Sequence, residues 1–109
     1  MRMWLVDARL LCRKHLLGNH VELHMLAGSI EKGKSLKGFI ANNLIDTSLI
    51  SSSHNEIEEE MKRRGYKHNS PLCYLDSLGV GHVDINVSKQ ELINRCPDCR
   101  NRILSHPSF

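Results

Sequence analysis

The run from His15 to Lys32 constrains this chain most. It holds good helix formers, contains no proline and ends before Gly33, a plausible C-cap. No ordinary strand is that long, so the spacing predicts a helix spanning a large part of a small domain. Leu16, Leu23, Ala27 and Ile30 fall on one side of it, and Leu17, Val21 and Met25 on another. A helix apolar on several sides is expected at the centre of its domain.

Two shorter helices are expected. Ser53 and Glu56 have capping-box spacing, and the run they open ends at Gly65 after Lys62, Arg63 and Arg64. Acidic Glu56, Glu58, Glu59 and Glu60 precede those cations, which suits the helix dipole. Ser88 and Glu91 open a third helix, stopped at Pro97. Asp7 can cap an earlier turn. The segment 34–52 reads as short turns, and 66–87, with Pro71 and Gly79 to Gly81, as an irregular connection. The expected fold is all-α: one domain over residues 1–109, three main helices and long irregular connections. The chain's 109 residues suit one core, and its five aromatic residues argue against a β-sandwich.

A net charge of +3 permits a nucleic-acid partner without requiring one. Asp7, Arg9, Arg13 and Lys14 interrupt any apolar signal segment, and no stretch is long enough to span a membrane. A monomer in the cytoplasm is the expectation, with Cys12, Cys73, Cys96 and Cys99 as reduced thiols.

Cys12, His15, Asn19 and Glu22 recur at spacings of three, four and three, which puts them on one helix stripe if the helix reaches back to Cys12. A histidine and a carboxylate there could position a substrate and move protons; a structural hydrogen bond is the plainer reading. Cys96 and Cys99 form a C-x2-C pair, half a zinc site. Cys12 and His15 could complete it, with His106 another candidate, but that would take His15 from catalysis. Reduced structural thiols are preferred, with no metal ligand and no cofactor expected. His20 and His24 are spaced i,i+4 without forming H-E-x-x-H. Gly28 to Ser35 matches the P-loop pattern G-x-x-x-x-G-K-[ST], which works only after a buried strand and before a helix. A helix end followed by a basic loop explains these residues better.

Met1–Arg2, His15–Leu16, Glu22–Leu23, Gly33–Lys34 and Met61 to Tyr66 occur in an order that resembles the phage-type pyrimidine-dimer DNA glycosylases, or UV endonucleases. Val87 to Gln90 and Arg95 to Pro97 extend the likeness. The resemblance implies excision of a damaged or modified pyrimidine from double-stranded DNA, coupled to AP lyase cleavage. In that family the α-amine of the first mature residue attacks the sugar C1′, releases the base and forms an imine; elimination then nicks the strand. The position matching the nucleophile is Met1, and Arg2 is too bulky for ordinary removal of Met1. Glu22 matches the essential glutamate and His15 a supporting histidine. An α-amine titrates near 7.7–8.0, so roughly a tenth is neutral at pH 7, against well under a thousandth of an ordinary lysine. Where the family member compared has arginines, this chain has Val21 and Met25, with His20 and His24 as substitute DNA contacts. The family's aromatic tail has no counterpart in the Ser105–His106–Pro107 end. Arg2, Arg13, His20, His24, Lys34, Lys62, Arg63 and Arg64 are the expected DNA-binding residues. A non-catalytic DNA-binding module and a P-loop nucleotide binder are the rival readings.

Overall fold

The computed structural model describes residues 1–68 and 70–106, so Pro107 lies outside the described residues. Among the described residues there are five α-helices, α1 (Arg13–Glu31), α2 (Lys37–Ala41), α3 (Ile50–Arg63), α4 (Ile85–Arg95) and α5 (Pro97–Ser105), with 3-10 turns at Ala8–Leu10 and Thr47–Leu49. The fold is all-α, as the helix patterning implies. No helix among the described residues is long and apolar enough to cross a membrane.

Helix α1 stops where glycine permits it: Gly33 holds φ +69 and its amide donates to the Ile30 carbonyl. Its buried stripe is Leu16, Asn19, His20, Leu23, Leu26 and Ala27. The second apolar side is not covered, since Val21 and Met25 are about half exposed. Because residues 20–27 are helical and Gly28 to Glu31 form the last turn of α1, no strand precedes the P-loop pattern. The nucleotide-binding reading fails on that geometry.

Both capping boxes are displaced. Helix α3 starts three residues before Ser53, continuing the turn that Asp46 caps by accepting from the Ser48 amide. Glu56 instead accepts from the Ala8 amide at 3.1 Å. Helix α4 starts three residues before Ser88, with Asp84 accepting from the Asn86 and Val87 amides. Pro97 ends α4 and also opens α5 as its first residue, where its missing N–H costs nothing.

The chain's first residues thread into the core. Met3, Trp4 and Val6 are buried, the Met3 amide donates to the Leu44 carbonyl at 2.7 Å, and Leu5 between them adopts φ +56. Asp7 then caps the Ala8–Leu10 turn, as expected. Around this segment pack Leu16 and Leu23 of α1, Ile57 and Met61 of α3, Leu92 of α4 and Ile103 of α5.

The irregular connection is fastened at one isolated bridge, Asp46 to Gly81. Thr47 donates to the Val80 carbonyl through its amide (2.9 Å), and its hydroxyl accepts from the Val80 amide (3.0 Å). Gly81 is at φ +94, and a Cβ there would lie 2.2 Å from the Ile45 carbonyl oxygen. Gly81→Ala is therefore expected to cost more than about 2 kcal/mol, because neither the backbone conformation nor the facing backbone can yield cheaply. Urea unfolding checks this; an unchanged midpoint would mean the bridge contributes nothing.

Candidate functional site

The predicted stripe of α1 divides into two places. Its lower part, Asn19 and Glu22, meets the threaded first residues. The amide of Arg2 donates to Glu22 Oε2 at 3.2 Å. Asn19 Nδ2 donates both to the Arg2 carbonyl (2.9 Å) and to Glu22 Oε2 (3.3 Å). Buried Asn19 thus fixes residue 2 and the carboxylate together. Met1, the residue before this clamped amide, is partly buried against the core.

The upper part, Cys12 and His15, turns to the cysteines. His15 Nδ1 lies 3.3 Å from Cys12 Sγ and 3.5 Å from Cys99 Sγ, and its ring meets the edge of Trp4. Its pKa is lowered, first by burial and then by the Lys14 charge; Glu22 opposes this as a smaller influence. The side chain expected to support Glu22 therefore sits with three thiols.

Arg2 stacks on Trp4, with its guanidinium carbon 3.7 Å from the ring centre, and pairs with Glu91 of α4. His20 is buried among histidines. Its Nε2 hydrogen-bonds His68 Nε2 at 2.8 Å, and its ring centre lies 4.8 Å from that of His24 and 4.9 Å from that of His54. His24 and His54 both donate to the Ser70 carbonyl, and His68 Nδ1 faces Glu58 at 3.4 Å. The i,i+4 spacing brings out His20 and His24, but nothing local signals His54 and His68. Nitrogens of His20, His54 and His68 come within 4.8 Å of one another, yet the 2.8 Å approach of two Nε2 atoms is a hydrogen bond. Two ligands at the corners of a zinc tetrahedron would stand about 3.3 Å apart.

Burial, then the neighbouring His54, His24 and His68 charges, push the His20 pKa down to about 4. An unfolded histidine titrates near 6.5, so the unfolded chain binds the extra proton between those values. Stability is full above pH 6.5 and falls as pH drops from about 6.5 to 4, by on the order of 1–3 kcal/mol. Urea titrations at pH 7.5 and 5 should register this loss, and His20→Gln should reduce it. Equal pH dependence in the two proteins would refute the assignment.

The basic residues behave unequally. Arg64 is buried, its side chain only 8 % exposed; it pairs with Glu60 and donates to the Leu11 carbonyl at 2.7 Å. Arg63 and Lys62 are exposed and pair with Glu60 and Glu58. Burial raises the Glu60 pKa, but Arg63 and Arg64 outweigh it and the net direction is down. Arg13 lies over Tyr66 at 5.4 Å and Lys34 is exposed. Of the expected DNA contacts, then, His20 and Arg64 are turned inward and Arg2 is largely engaged. On another face of α1, exposed Val21 and Met25 join His24, Lys32 and Lys34 in a groove of about 440 Å³. A larger hollow, about 520 Å³, lies between the end of α1 and Leu72 to Leu75.

A family model described as pyrimidine dimer DNA glycosylase matches residues 1–73. The match takes in Met1, Glu22 and helices α1 to α3, and ends before α4 and α5. No curated protein and no solved structure matches the chain.

Proposed function

The chain belongs to the pyrimidine dimer DNA glycosylase family, and from that membership we propose that it excises a damaged pyrimidine through the α-amine of Met1, with Glu22 as the proton-handling partner. The amine lone pair attacks C1′, the glycosidic bond breaks and its electrons leave with the base, which takes up a proton. The nitrogen loses a proton, and its lone pair then closes the imine as the C1′–O4′ bond breaks, which opens the sugar ring and leaves O4′ to take up a proton. Abstraction of a C2′ proton then expels the 3′ phosphate and nicks the strand, and water releases the product. A neutral amine and a nearby carboxylate are what this sequence of steps requires.

The observation that carries the reading is the Asn19 clamp, which holds the residue-2 amide 3.2 Å from Glu22. In this reading Asn19 is a positioning residue, and His15 takes no part in the chemistry. The test is borohydride trapping on ultraviolet-irradiated duplex DNA, after intact-mass analysis has identified the first residue. A trapped adduct that maps to the Met1 nitrogen is the expected result. Excision with no adduct, or with an adduct on a lysine, would overturn the amine mechanism.

Exposed Arg13, Lys34, Lys62 and Arg63 are the proposed phosphate contacts. Neutralising one true contact, for instance Lys34→Gln, should lower the log–log salt slope of binding by about 0.9. An unchanged slope in all four single variants would put the DNA on another face.

A further inference from the structure

We propose that Cys12, His15, Cys96 and Cys99 form a structural zinc site that ties the start of α1 to the start of α5. The four ligand atoms all lie within 4.8 Å of one another. Zinc held at about 2.3 Å from sulfur and about 2.0–2.1 Å from nitrogen defines a tetrahedron with S···S edges of about 3.8 Å and S···N edges of about 3.5 Å. Cys12 Sγ to Cys96 Sγ is 3.8 Å, and His15 Nδ1 stands 3.3 and 3.5 Å from Cys12 and Cys99. With all four atoms this close, these are single-ion separations; a multi-iron cluster would hold the ligands of its different irons farther apart.

The backbone is built for anionic sulfur. Cys12 is the N-cap of α1 and accepts from the His15 amide; Cys96 is the N-cap of α5 and accepts from the Cys99 amide. Each ligand pair therefore occupies the N-cap and third residue of a helix, on its first turn. Two helix N-termini converge on the centre, where their partial positive charge favours thiolate. The Cys12 amide adds a donor to Cys99 Sγ at 3.2 Å. Metal binding would release three thiol protons to solvent and leave neutral His15 as the fourth ligand, so the centre carries one net negative charge. Lys14 and Arg95, which directly precede His15 and Cys96, bring positive charge close to it.

Without a metal, the fully buried Cys99 sulfur is packed against the Cys12 amide and His15 Nδ1, within 4.8 Å of two other thiols. Three cysteines and a histidine packed with their polar atoms together are then a poor substitute for an apolar core. A metal ion gives that packing a purpose. The site also joins chain regions more than eighty positions apart, as the Cys12–Cys96 pair shows.

The test is the whole chain, expressed without a metal-affinity tag in minimal medium supplemented with either Zn(II) or Co(II). We expect about one metal per chain and, with cobalt, tetrahedral ligand-field bands beside a thiolate charge-transfer band. Cys99→Ser should cut bound metal by about tenfold or more, whereas Cys73→Ser, at an exposed cysteine outside the cluster, should leave it unchanged. Should the serine variant fail to fold, His15→Cys decides: it should keep the metal and strengthen the charge-transfer band by adding a fourth thiolate. Wild-type metal below about a tenth per chain, an octahedral cobalt spectrum, a Cys12–Cys96 disulfide, or a cobalt spectrum unchanged in His15→Cys would each overturn the site.

Discussion

Glu22→Gln is expected to lose base excision by about 10²–10⁴-fold while binding damaged DNA nearly as well as the parent chain. Glutamine is the same size and still offers an oxygen to the Arg2 amide and the Asn19 side chain. What it lacks is negative charge and proton affinity. The first residues should therefore stay where they are while the amine loses the partner that takes up and returns its proton. Acetylating the α-amine is expected to abolish imine trapping altogether, since an amide nitrogen is not nucleophilic. Single-turnover excision and filter binding on the same irradiated duplex separate chemistry from affinity. If Glu22→Gln excises at the parental rate, the carboxylate is structural and another proton acceptor must be found; family membership would stand regardless.

Arg64→Met should unfold the protein more readily, by about 2–3 kcal/mol, without altering the salt dependence of DNA binding. Glu60 and Arg64 are both under a tenth exposed and lie 2.6 Å apart. Removing the cation leaves the buried carboxylate to its bidentate pairing with exposed Arg63 alone. It also strips the donor from the Leu11 carbonyl, just before α1. A Tm drop of more than about 10 °C is the corresponding thermal readout. A normal Tm with a shallower salt slope would instead return Arg64 to the DNA surface.

The contrast between Arg63 and Arg64 marks the limit of what the sequence could disclose. Both belong to one basic run at a helix end and both pair with Glu60, and only tertiary packing turns one inward to Ala8 and Leu11. The helical periods themselves were legible: α1 and the irregular connection lie where composition and punctuation put them. Starts were harder. Ser53 and Ser88 have the right residue three places on, yet Asp46 and Asp84 upstream do the capping, and Glu56 and Glu91 are drawn to Ala8 and Arg2. Helix α5 was hidden because Pro97 reads equally as an end or a beginning. On α1, the second apolar side reads as central to the domain, but Val21 and Met25 are about half exposed. The stripe of Cys12, His15, Asn19 and Glu22 was visible as one face; its division between two neighbours depends on where the first residues and α5 return. The histidine cluster draws two members from beyond α1, so no local spacing could reveal it.

Leu5 has a mechanical consequence. Its left-handed backbone lies between two buried neighbours, Trp4 and Val6. Sliding the segment by one position would force that conformation onto an indole or a β-branched residue, which resists it more strongly. The first residues therefore cannot creep past α1 by small increments. Their reach from the Asp7-capped turn to Glu22 is counted in whole residues, like teeth on a ratchet.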